Sequence, residues 1–84
     1  MTFKERYYLE GTAWWERVMI MNIYHNLALV KDPKWTIQQT ADDFGASIGT
    51  TSENLRIARG IDKYKGIIDC RTRMEALTKL DGME

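Results

Sequence analysis

The feature that most narrows what this chain can fold into is one corner. In "WTIQQTADDFGASIGTTSENLRIARG", residues 35–60, an apolar helix pattern runs into Gly45 and a second pattern begins two residues later. Thr36 is placed to cap the first helix, predicted over 37–44, and Ser47 to cap the second, predicted over 48–59 with Gly60 as its stop. Gly45 accepts the left-handed backbone that such a stop needs. Ala41, four residues earlier, is small enough to let the second helix approach. Ile37, Phe44, Leu55 and Ile57 are apolar residues able to bury the joint.

The flanking segments are helical too. "MTFKERYYLEGT", residues 1–12, reads as a loose N-terminal segment closed by Gly11, with Thr12 as a cap for the next helix. A long apolar helix is expected over 13–31. Ala13, Ile20, Ile23, Leu27 and Val30 form one stripe at helical spacing, with Trp14, Val18, Met21 and Ala28 beside it. Trp15, Met19 and Leu29 fall further round, and a helix so apolar needs more than one neighbour. Pro33 ends it. A last helix is expected within 67–81, from about Asp69 to Leu80, with Ile67, Ile68, Met74, Leu77 and Leu80 as its apolar contacts. No stretch alternates as a strand would. The prediction is one all-α domain over 1–84, four to five helices, with a helix-turn-helix at 36–59.

Charge argues against a simple nucleic-acid binder. Twelve basic residues balance twelve acidic ones, and the balance holds along the chain: five against four in 1–35, two against three in 36–59, five against five in 60–84. A monomer so neutral releases few counterions from DNA. Binding would therefore call for a homodimer or a larger protein assembly. Cys70, the single cysteine, allows no internal disulfide, and no signal-peptide pattern is visible, which points to the cytoplasm. The apolar run from Val18 is interrupted at Asn22, far short of the roughly 20 residues of a membrane span. No membrane association is expected.

Two helices meeting at a glycine corner, the second rich in small and polar side chains, is the construction of a helix-turn-helix. The stretch resembles the helix-turn-helix of the ParB/KorB-type family of plasmid and phage DNA-binding proteins. Thr36, Ala41, Phe44, Gly45, Ser47, Thr50, Ser52, Leu55 and Ala58 sit on that family's pattern, and the likeness covers roughly residues 13–80. Thr40 and Thr51 stand where the family usually places an aliphatic residue, and Asn54 where a small or aliphatic one is common. A looser joint, or a register shifted by one, is the expectation. No Arg-rich box of the partition-clamp kind is present, so only double-stranded DNA recognition is implied. On that resemblance Ser47, Ile48, Gly49, Thr50, Ser52, Glu53 and Arg56 face the groove. Arg56 is the base reader suited to guanine. Glu53 either accepts from a cytosine amino group or pairs with Arg56. Gln38 and Gln39 meet the DNA backbone, and Lys63 and Lys65, flanking Tyr64, hold phosphates unless they are merely a solvated connector.

The remaining residues offer little chemistry. His25 is a lone histidine with no ligand set around it, so no metal site is predicted. Asp42 and Asp43 are adjacent and point apart, which suits no acid–base pair. No nucleophile triad or phosphate loop appears; the chain reads as no enzyme, with no cofactor and no small-molecule substrate. Trp14 and Trp15 lie about 100° apart on a helix and cannot both face one interior. With Met19 they form a candidate partner interface, turned toward the N-terminal segment or another chain. That gives the second reading, a module docking on a phage or bacterial replication, packaging or polymerase component.

Overall fold

The computed structural model describes all residues from 1 to 84 as five helices and no strand. They are α1 (Phe3–Tyr7), α2 (Trp14–Lys31), α3 (Ile37–Phe44), α4 (Ile48–Lys63) and α5 (Arg73–Met83). The fold is all-α, with a Cα radius of gyration of 12.6 Å. No helix is long and apolar enough to cross a membrane. α2 and α4 are the longest helices and pack on each other. α1 and α3 close one end of that pair and α5 the other.

The core has two lobes. At one end Tyr7, Ile20, Met21, Phe44 and Leu55 come together from four helices, with Tyr7 and Tyr24 set against the Phe44 ring at 5.2 and 5.1 Å between centroids. At the other end Val18, Ile57 and Ala58 meet Ile67 and Cys70 of the connector and Ala76, Leu77 and Leu80 of α5. Between the lobes lies polar matter. Asn54, 1% exposed, donates to the Tyr7 hydroxyl at 3.1 Å and accepts from Arg73 Nε at 2.6 Å.

Four local expectations need correction. Residues 1–12 are not all loose: Thr2 and Glu5 exchange reciprocal caps that start α1, and the Tyr8 hydroxyl donates to the Phe44 carbonyl at 2.6 Å. Thr12 does not cap α2; its hydroxyl points back to the Arg6 carbonyl, and Ala13 precedes the helix without a side-chain cap. Gly60 does not stop α4, which continues one turn to Lys63. It is a crossing point instead, because a Cβ there would lie 2.7 Å from Leu80 Cδ1. The last helix begins at Arg73, capped by Thr72, so Ile67 packs from the connector while Ile68 and Met74 are exposed.

The largest revision concerns α2. Its buried residues are Val18, Ile20, Met21 and His25, with Trp14 half-buried beside them; of the predicted core stripe Ile20 goes inward, while Ile23, Leu27 and Val30 are 47%, 50% and 82% exposed. The helix is turned so that a histidine goes inward and three aliphatics go outward. His25 stays inside because Thr40 meets it, Nδ1 to Oγ1 at 2.7 Å, and the Trp35 indole donates to the same hydroxyl.

Candidate nucleic-acid interface

The corner forms as its residues dictate. Thr36 and Gln39 cap α3 reciprocally. Gly45 sits at φ +67°, ψ 30°; its N–H donates to the Asp42 carbonyl at 3.2 Å and that of Ala46 to the Ala41 carbonyl at 2.9 Å. Both orphan carbonyls are thus used, in the pairing known as the Schellman motif. Ser47 then accepts from the Thr50 N–H at 3.1 Å, and α4 begins. The turn between the helices is closed at both ends, so the direction of α4 is fixed.

The three departures from the family pattern do not loosen this joint. Thr40 and Thr51 are wholly buried and Asn54 nearly so. Thr51 returns its hydroxyl to the Ser47 carbonyl at 2.9 Å, Thr40 serves His25 and Trp35, and Asn54 serves Tyr7 and Arg73. Each polar atom has a partner, so burial costs little. Leu55, Ile57 and Ala58 face the core.

What remains outside is one continuous face of α4. Ile48, Gly49, Ser52, Arg59 and Lys63 are exposed along it, with Arg56 among them and the Ser47 cap exposed at its start. Two of the predicted groove residues turn away. Thr50 is half-buried beside Arg73, which donates to its carbonyl at 3.3 Å. Glu53 pairs with that same Arg73 at 2.8 Å rather than with Arg56. Gln38 is spent on Asp42 at 2.8 Å and Gln39 on the cap, so both are tied to their own helix while remaining exposed. Lys63 leans over the Tyr64 ring, 5.2 Å from its centroid, and Lys65 is exposed beyond it.

Arg56 itself is held. Its Nη2 lies 2.6 Å from Asp81 and 2.9 Å from Glu84, and its Nε donates to Glu84 at 3.0 Å. Hydrogen bonds donated to Asp81, then to Glu84, raise its pKa, so the guanidinium stays charged but partly neutralised by the end of α5. Arg59 was not among the sequence-level candidates. It is exposed, makes no ion pair, and stands three residues after Arg56 and four before Lys63. That i, i+3, i+7 spacing marks one helix face and was there to be read.

The proposed partner residues separate as their geometry requires. Trp14 is turned inward, packed on the α5 lobe with its indole donating to the Cys70 carbonyl at 2.8 Å, so it leaves the predicted partner surface. Trp15 is 37% exposed, and Met19 is half-buried, packed against the α5 lobe. Compared with known proteins, the chain matches no family model, no curated protein and no solved structure.

Proposed function

We propose that this chain binds double-stranded DNA by laying the exposed face of α4 in the major groove. The observation that carries the reading is the left-handed Gly45 corner, which closes α3 and presents a four-turn helix whose outer side is small, polar and cationic. A groove admits such a helix, and a core has no use for it. The resemblance to the ParB/KorB-type helix-turn-helix supports the same assignment. Ser52 and Ile48 meet base edges or sugar, Arg56 is the base reader, and Arg59, Lys63 and Lys65 take phosphates. Arg56 must exchange Asp81 and Glu84 for the DNA. That exchange is feasible because ion pairs at a solvated surface are weak and screened.

The test is fluorescence anisotropy of a labelled random-sequence duplex at two salt concentrations. Binding should weaken steeply with salt, and Lys63→Ala should lower the salt slope by about one counterion. Arg56→Ala should lower affinity for a selected site more than for random duplex. No binding at the lower salt overturns the reading. A second reading, that the helix-turn-helix is scaffold for a protein-docking surface, draws on one observation: the apolar outer face of α2 around Trp15.

A further inference from the structure

The outer face of α2 carries an apolar stripe that no helix covers: Phe3 and Arg6 of α1 reach only its edge, and Met19 alone leans into the α5 lobe. Trp15, Met19, Ile23, Leu27 and Val30 span an arc of about 120° on an ideal helix. All but Met19 are more than a third exposed. Scattered exposed apolar side chains need no explanation, but four on one face of the longest helix do. Leu27 also walls a hollow of about 550 Å³ with Phe3, Tyr24 and Trp35, so the apolar surface continues past the helix edge.

The order of residues along the stripe says what covers it. About Ile23 the pattern is close to palindromic: Met19 and Leu27 lie four residues to either side, Trp15 eight one way and Val30 seven the other. An isologous contact has this property, since a twofold axis sets each residue opposite its mirror position. The charges agree. Glu16 lies seven residues before Ile23 and Lys31 eight after, about 20° and 80° to the same side of it on an ideal helix, and neither is ion-paired within the chain. With the axis at Ile23, the axial offsets of Glu16 and of Lys31 in a second copy differ by about 1.5 Å. An antiparallel pair therefore forms two Glu16–Lys31 bridges, whereas a parallel pair would carry these flanks to opposite sides of the interface and form neither. Helix dipoles favour the antiparallel choice as well.

We infer that the outer face of α2 is a homodimer interface in which two copies pack antiparallel with Ile23 on the twofold axis. The helix face measures about 24 Å by 10 Å. Two copies then share roughly 500 Å², below the ~1,200 Å² of standard interfaces, so the dimer is weak and transient. The assignment is independent of DNA binding, and its test uses protein alone.

Sedimentation equilibrium over a concentration series up to about 1 mM should show a reversible monomer–dimer equilibrium. Leu27→Glu should raise the dissociation constant at least about tenfold, with the helical circular-dichroism spectrum unchanged. Glu16→Lys and Lys31→Glu should each weaken the dimer about threefold or more, and the double exchange in one chain should restore it, since the bridges re-form reversed. A protein that stays monomeric throughout overturns the inference and leaves the face to a different partner. A dimer indifferent to Leu27→Glu overturns the surface. A dimer that the double exchange fails to restore overturns the antiparallel register.

Discussion

The two long helices divide their chemistry in opposite ways. α4 carries polar residues into the interior, with Thr51 and Asn54 at 0% and 1% exposure, and keeps its outer side small and charged. α2 carries His25 inward and leaves Ile23, Leu27 and Val30 in solvent. Polarity alone therefore predicts burial poorly in this molecule. A buried polar side chain costs little where each donor and acceptor finds a partner, and an apolar one gains nothing unless a neighbour covers it. The difference between the helices is supply. α4 lies among α1, α2, α3 and α5, which provide partners such as Tyr7 and Arg73. Along its outer side α2 has only the edges of its neighbours, Phe3 and Arg6 of α1 and the Trp35 ring.

The sharpest way to break the contrast is at Asn54. Asn54→Leu keeps the branched shape and heavy-atom count, and removes the acceptor for Arg73 and the donor to Tyr7, so it should cost about 2–3 kcal/mol in urea unfolding. A neutral or stabilising result would mean that the polar centre does not hold the fold. Gly60→Val comes next. Its branched carbons would enter the space of Leu80, which is 1% exposed and has little room to move, for a loss of about 2 kcal/mol that outweighs any gain in helix propensity.

The third prediction concerns pH. Burial, and then the nearby Arg59 charge, hold the His25 pKa below its ordinary 6.5. The unfolded chain therefore takes up the proton first as pH falls. Stability owed to neutral His25 is complete above about 6.5 and declines below it, toward the lowered folded value. The urea midpoint should drop between about pH 7.5 and 5.5 in the wild type and drop less in His25→Gln. Equal profiles would remove His25 from the account. The smallest effect is expected outside: Leu27→Ser, measured at concentrations that keep the chain monomeric, should change stability by no more than about 0.5 kcal/mol. A loss like that of Asn54→Leu would show that the α2 stripe belongs to the protomer's own core.

The corner was legible because its signals are local. Thr36, Gly45 and Ser47 each satisfy backbone groups within five residues, and sequence spacing shows that directly. Two further signals of the same kind were present and went unused. Thr2 with Glu5, and Thr72 with Glu75, have the Thr-x-x-Glu spacing of a helix start, and they mark α1 and α5. The turning of α2 was not legible. Two apolar stripes lie on that helix, and only the positions of Thr40 and Cys70, distant in sequence, decide which goes inward. Gly60 misled for a similar reason: its lack of a side chain serves a helix twenty residues later, not a turn. For Arg56 and Glu53 the helix position was readable, while their partners Asp81, Glu84 and Arg73 come from α5.

Asn54 also has a consequence for how the chain comes apart. It ties Tyr7 to Arg73, residues near opposite ends of the sequence, through one amide. Terminal helices ordinarily fray separately, each with its own low opening energy. Here release of α1 would leave the Asn54 amide only the weak Met21 sulfur acceptor at 3.5 Å, so opening of one end should lower the cost of opening the other. In native-state hydrogen exchange, the amides of α1 and α5 then belong to one cooperative unit. A protease that gains access at either end finds the other already loosened.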